Sequence, residues 1–176
     1  MHKHQATALN PFVMNIHFGY LPGCIGRVAQ MHADYYSAAT GFGVEFEAKV
    51  ATELAKFCRG YREGRDGLWL AVDGKSVEGS IVIDGSHHAE QGAHLRWFIT
   101  SDRARGSGIG TQLLRSALAF CAAQSYRQVF LWTFDELAAA RHLYEKHGFR
   151  LARTQRGAQW GKEVNEQLFV LQSGSG

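Results

Sequence analysis

The chain has 176 residues, 45% of them hydrophobic, and sets 19 Lys and Arg against 16 Asp and Glu for a formal net charge of +3. That length buries one full core and fits a single domain over 1–176, and so slight a basic excess, without a basic run interleaved with aromatics, excludes a nucleic-acid partner. Cys24, Cys58 and Cys121 are odd in number and widely spaced, which excludes a paired-cysteine zinc or redox motif. With no leader-like segment and no stretch near the roughly 18 apolar residues of a membrane span, they read as free thiols of a soluble, cytoplasmic protein.

Residues 1–10 and 173–176 are polar and aperiodic, as flexible tails are. Phe12 to Phe18 alternates like a strand, and Leu21-Pro22-Gly23 turns the chain into a helix over Ile25 to Tyr36, with Ile25, Val28, Ala29, His32 and Tyr36 on one face. Phe46, Val50, Leu54 and Phe57 mark a second helix that stops at Cys58-Arg59-Gly60. Leu68 to Val72 and Ser76 to Ile83, joined by Asp73-Gly74, predict a hairpin. Ala93 to Thr100 is the next strand. A third helix begins near Thr111, with Ile109, Leu113, Leu114, Ala117, Leu118 and Cys121 on its apolar face. Val129 to Thr133 is a short buried strand, Asp135 is placed to cap a helix running to His147 before Gly148, and Phe149 to Arg153 and Glu166 to Leu171 are the closing strands. Helices covering a mixed sheet follow, without internal repeats.

Between the fourth strand and the third helix lies Arg105-Gly106-Ser107-Gly108-Ile109-Gly110. Glycines at alternate positions let the main chain take positive φ and approach a ligand closely, and the helix start adds unpaired N–H donors, so an anion belongs there. A nucleotide-triphosphate loop needs Lys and then Ser or Thr after its last Gly, whereas Gly110 is followed by Thr111-Gln112. A dinucleotide fingerprint fits poorly, because the preceding strands form a hairpin. Arg-x-x-Gly-x-Gly suits a pyrophosphate held by successive amides beside a guanidinium. A turn that merely caps a helix has the same composition. Arg103 and Arg115 flank the loop, but Arg105 alone has a motif position.

These residues, with Ala140-x-x-Leu143-Tyr144-Glu145-Lys146-x-Gly148-Phe149 downstream, resemble the GNAT superfamily of acetyl-CoA-dependent N-acetyltransferases. The resemblance covers Leu95 to Phe149 and implies an α/β (α+β) GNAT fold, a mixed, mostly antiparallel sheet of about seven strands flanked by about four helices. His32 to Tyr36, Phe46-Glu47 and Leu131-Trp132-Thr133 further resemble the acetyltransferase halves of bacterial proteins that fuse such a domain to a MarR-type regulator, for which this chain has no room. It departs at Leu137, where the family often has an Asn whose side chain meets the cofactor arm.

Carried over by position, the resemblance implies that Phe98, Ile99 and Thr100 meet the pantetheine arm of acetyl-CoA, and that Arg105, Gly106, Ser107, Gly108, Ile109, Gly110 and Thr111 wrap its pyrophosphate. The acceptor is a primary amine of a small molecule or peptide. A neutral amine attacking a thioester needs a proton acceptor, an oxyanion donor and a proton donor. Tyr144, a phenol of pKa about 10, suits the donor facing a thiolate whose conjugate acid is near 8.5. His94 is the candidate base, with Glu90 or a water chain as alternatives, and a backbone N–H between Leu95 and Thr100 the oxyanion donor. His87-His88 and His2-x-His4 lack neighbouring ligands, so no metal is expected. Trp160 is the tryptophan expected nearest the substrate, Trp132 and Leu137 set the cleft width for the acyl group, and Asp34, Glu45 and Glu47 are candidates to attract an ammonium. A homodimer is implied by resemblance alone. The same fold used as a non-catalytic acyl-CoA sensor or interaction module is the competing reading.

Overall fold

The computed structural model describes residues 13–174. Its elements are β1 (Asn15–Phe18), α1 (Cys24–Thr40), α2 (Val44–Arg59), β2 (Gly67–Asp73), β3 (Ser76–Asp84), β4 (Ala93–Thr100), α3 (Ile109–Ala123), β5 (Gln128–Phe134), α4 (Ala138–Lys146), β6 (Arg150–Gly157) and β7 (Val164–Gln172). The strands form one seven-stranded sheet in the order β1-β2-β3-β4-β5-β7-β6. Neighbours are antiparallel except β4 and β5, the parallel pair whose crossover is α3.

Each face of this sheet has its own core. On one side α1 and α2 bring Val28, Met31, Phe46, Val50, Leu54 and Phe57 down onto Leu70, Val82, Trp97 and Ile99. On the other, α3 lays Leu113, Leu114 and Ala117 over Ile81, Ile83, Leu95 and Leu131, with Tyr144 and Phe149 joining from α4 and its exit. Apolar positions at i, i+4, i+8 and i+11 give α2 its single buried stripe, as the sequence predicts. The fully buried Asp66 ties the hairpin to its surroundings, accepting from the Arg62 and Gly85 amides at 2.9 and 3.0 Å and from the Arg65 guanidinium.

Several boundaries differ from expectation; α1, for one, runs past Tyr36 to Thr40. The third helix starts at Ile109, since the positive φ of Gly108 ends the loop there. α4 starts at Ala138 with Leu137 at its N-cap, so Asp135 does not cap it; that carboxylate accepts a hydrogen bond from the Asn165 side chain at 2.7 Å. β6 runs on to Gly157, because β7 pairs with it along its whole length. The expected N-terminal tail and Phe12 lie outside the described residues.

Candidate active site

The site begins with an extra residue in β4. Ser80 faces Ile99 and Val82 faces Arg96, so Ile81 on β3 is opposed by both Trp97 and Phe98. This is a β-bulge. Trp97 takes a φ of +44°, left-handed for a residue with a bulky side chain. The inserted residue switches the pleat: Leu95 packs on the α3 side of the sheet, whereas Trp97 packs on the α1 and α2 side against Phe57. Before the bulge is reached, β4 and β5 have already parted company. They pair at Ala93 with Val129 and at His94 with Phe130, and no further.

The wedge between them opens into a cavity of about 390 Å³, a size suited to a small-molecule ligand, with walls of β4 from His94 to Thr100, β5 from Leu131 to Phe134, the inward faces of α1 and α2, and α4. Phe98, Ile99, Thr100, Arg105 and Gly110 of the sequence-predicted set line it, as do Tyr144 and His94. The Trp97 carbonyl accepts a hydrogen bond from the buried Ser80 hydroxyl at 2.7 Å, on the β3 side of β4. A trans peptide points its C=O and the following N–H in opposite directions. The Phe98 amide therefore faces the β5 side, into the wedge.

At the mouth of the wedge sits the glycine loop. Gly106 and Gly108 have φ of +80° and +85°, and a Cβ on either would meet nothing within 4 Å. The glycines are there for backbone conformation, and the space above them is open. The first helical bond of α3 is donated by Gln112 to the Gly108 carbonyl, and no side chain caps the helix, so the amides of Gly110 and Thr111 in its first turn point outward. Ile109 N–H has a long contact, 3.4 Å, to the Ser107 hydroxyl. Gly110 lies against Phe98 and Thr100, joining the loop to the wedge. Arg105 stands over the Tyr35 ring at 4.8 Å, pairs with Asp102 and donates to the Thr100 carbonyl. Its guanidinium is thus held at the rim. Behind the loop, the buried Glu78 accepts from the hydroxyls of Ser76 and Ser101 and pairs with Arg27 and Arg103. These residues fit a pyrophosphate: amides without side-chain caps, a cradle any side chain would strain, and a pre-placed guanidinium.

Tyr144 is buried, its ring 5.8 Å from Phe149 and 6.2 Å from Phe98, and desolvation pushes its pKa above the ordinary phenol value, with Tyr36 adding to the effect. It stays a proton donor at every physiological pH. His94 stacks on Phe130 at 4.4 Å, and burial, with Arg96 beside it, lowers its pKa to about 3. It is neutral at pH 7. Glu90 is exposed and outside the cavity, and so are Glu45 and Glu47; Asp34 lines a second groove beside α1. The carboxylate that does line the cavity is Glu53, paired with both Lys49 and Arg96 and held below its ordinary pKa against the opposing effect of its burial. Nothing in the sequence singles it out. Much of the wall is aromatic, with Tyr36, Phe46, Phe134 and Trp160 in it; Phe134 meets Tyr36 at 5.9 Å and Trp160 at 5.5 Å. Trp160 lines the cavity, together with Trp97, Trp132 and Leu137. Among the described residues no His, Cys, Asp and Glu cluster of three or more could hold a metal, and the His2 and His4 pair lies outside them.

Residues 28–149 match the model of the acetyltransferase (GNAT) family. The chain belongs to that family. It is 30% identical over 105 residues to the mouse protein "Probable N-acetyltransferase family 8 member 5", covering 57% of this chain and 46% of that one, so it spans about half the length of this curated relative. A GNAT acetyltransferase structure from Staphylococcus aureus has the same fold, with a TM-score of 0.73 at 17% identity, covering 91% of this chain and 99% of that one. A GNAT acetyltransferase from Elizabethkingia anophelis with acetyl-CoA bound superposes with a TM-score of 0.63 at 15% identity over 91% and 98% of the two chains. For spermidine N-acetyltransferase from Vibrio cholerae the TM-score is 0.65 at 14% identity, over 90% and 94%. No helix among the described residues is long and apolar enough to cross a membrane.

Proposed function

We propose that this GNAT domain, spanning 1–176, transfers an acetyl group from acetyl-CoA to a primary amine by direct attack on the thioester. The observation that carries the reading is the splayed β4/β5 wedge, with the Phe98 N–H on one wall, Tyr144 on another and the glycine loop at its mouth. The amides from Arg105 to Thr111 would hold the pyrophosphate, and Phe98, Ile99 and Thr100 the arm; acetyl-CoA supplies the activated acyl group. Phe98 N–H donates to the carbonyl oxygen as charge gathers there, and the Tyr144 hydroxyl protonates the departing sulfur. A neutral His94 with so low a pKa is too weak to strip a free ammonium. It accepts a proton only from nitrogen already bonded to the acyl carbon, so the amine enters uncharged.

The acceptor is an amine on an apolar, preferably aromatic, body with no second positive charge. Supporting this are the aromatic wall of the cavity and the ion pairing of Glu53, which among the described residues leaves no unpaired carboxylate in that wall to attract a polycation. The resemblance to MarR-linked domains suggests a bacterial, cytoplasmic setting, and the fold a homodimer.

The test is thiol release from acetyl-CoA with phenethylamine, aliphatic amines, spermidine and lysine peptides, beside calorimetric titration with CoA. Release with arylalkylamines supports the reading; spermidine as the best acceptor refutes the acceptor class; CoA binding without any release points to a non-catalytic sensor; and absence of CoA binding refutes the assignment. Tyr144→Phe lowers kcat about 100-fold and leaves CoA affinity unchanged if the phenol is the acid.

A further inference from the structure

We propose that Ser80 on β3 is a positioning residue for this reaction, aiming the Phe98 amide into the wedge by holding the Trp97 carbonyl. The inference rests on the acetyl-transfer reading for its kinetic consequence and on geometry for its structural one. Ser80 is wholly buried in an otherwise apolar strand segment, Gly79-Ser80-Ile81-Val82-Ile83. A hydroxyl in such a place is costly unless it is bonded. Its bond reaches across to the one β4 peptide whose orientation decides where an N–H points, the Trp97–Phe98 unit within the bulge.

That peptide is not held by an ordinary ladder. The bulge leaves β4 with one residue more than β3, Trp97 sits at φ +44°, and β5 has already separated from β4. A left-handed tryptophan persists only where its surroundings over-determine it. Two other contacts fix the Trp97 side chain, the Arg96 guanidinium 4.1 Å above its ring and Phe57 at 5.8 Å, but neither touches its carbonyl. Ser80 does. Without the hydroxyl, the carbonyl loses its buried partner and the peptide is free to rotate its oxygen toward the cavity, which carries the Phe98 N–H away from the reacting carbonyl. The wedge would still admit acetyl-CoA, because the loop and β5 are untouched.

The experiment uses the full chain as wild type, Ser80→Ala and Ser80→Cys, the last keeping nearly the same volume with a far weaker donor. In the 15N-labelled protein the Phe98 amide is followed on titration with the dethia analogue of acetyl-CoA, in which a methylene replaces sulfur and the carbonyl remains as an unreactive ketone. Wild type moves this proton downfield on saturation, Ser80→Cys moves it less, and Ser80→Ala does not move it. In parallel, kcat falls about 10- to 100-fold in Ser80→Ala while KM for acetyl-CoA stays within about twofold. An equal Phe98 shift in all three proteins, or a Ser80→Ala enzyme with wild-type kcat, overturns the proposal. Should Ser80→Ala fail to fold, the Ser80→Cys shift decides. If wild type acetylates no amine, the transfer reading fails by itself, and the amide shifts still decide whether Ser80 aims Phe98.

Discussion

Acidification from pH 7.5 to 5 should cost this protein about 4 kcal/mol of folding stability, about 2 kcal/mol from each of two histidines folded in their neutral form. His32 is 5% exposed, bonded through Nδ1 to the Val28 carbonyl at 2.8 Å and stacked with Tyr36, and burial lowers its pKa to about 4. His94, against Phe130, is lowered to about 3. In the unfolded chain both titrate near 6.5. Below that pH the unfolded state binds protons that the native state refuses, so stability falls as pH falls and stops falling only below the native values. At pH 5 each group is about 1.5 units below its unfolded pKa, which at 1.36 kcal/mol per unit is about 2 kcal/mol. Glu53, Glu78 and Asp84 have lowered pKa values and contribute stability that is full above about pH 4.5, so they do not blur this window. The assay is urea unfolding at pH 7.5, 6 and 5, followed by tryptophan fluorescence. With typical stabilities of about 5–15 kcal/mol, the loss is a large shift in midpoint. His32→Phe, which keeps the ring stack, should lose about half of the pH dependence. A fall of less than about 1 kcal/mol between pH 7.5 and 5 would refute the claim that these imidazoles are held neutral.

The same depressed His94 pKa shapes the rate profile. kcat/KM should rise with pH in step with deprotonation of the acceptor amine, shifting when an amine of different pKa is used, and show no inflection near 6.5; an inflection there that ignores the amine would restore His94 as an ordinary base. Gly108→Ala tests the anion cradle. Its φ of +85° strains any side chain although nothing lies within 4 Å, at about 1–2 kcal/mol; the free loop relaxes out of that conformation and CoA must restore it, so CoA should bind about tenfold more weakly by calorimetry, and undiminished binding would count against the loop as the pyrophosphate cradle.

The fold was legible where local physics decides it. The hairpin at Asp73-Gly74 and the limits of Ala93–Thr100 follow from turn chemistry and alternation, and the glycine loop announces itself because only Gly takes φ near +80° without cost. The centre of the site was not legible, for a specific reason. Leu95, Trp97 and Ile99 read as three apolar residues on one face of an unbroken strand, whereas the bulge sends Leu95 to one core and Trp97 and Ile99 to the other. No glycine marks it. What fixes it is Ser80, 17 positions away in sequence, and a lone serine in an apolar run carries no local signal of its partner. Glu53 was hidden in the same way: its partner Arg96 lies 43 residues on, so within α2 it looks like any solvated acid.

These two long-range contacts hold β4 where it lines the wedge, and on the proposed reading they let one strand serve both ligands. Up to His94 the strand pairs with β5; after it, Arg96 pairs with Glu53 of α2 and Asp84 of β3, while the Trp97 carbonyl is held by Ser80 of β3. A bulge accommodates such contacts from neighbouring positions, since its extra residue lets consecutive groups break the alternation. One consequence is a backbone amide facing β5 for a thioester carbonyl. The other is a closed ion pair on the α2 side, where an unpaired carboxylate would have favoured a polycation. On the proposed reading, donor activation and acceptor choice therefore trace to the same irregularity in β4.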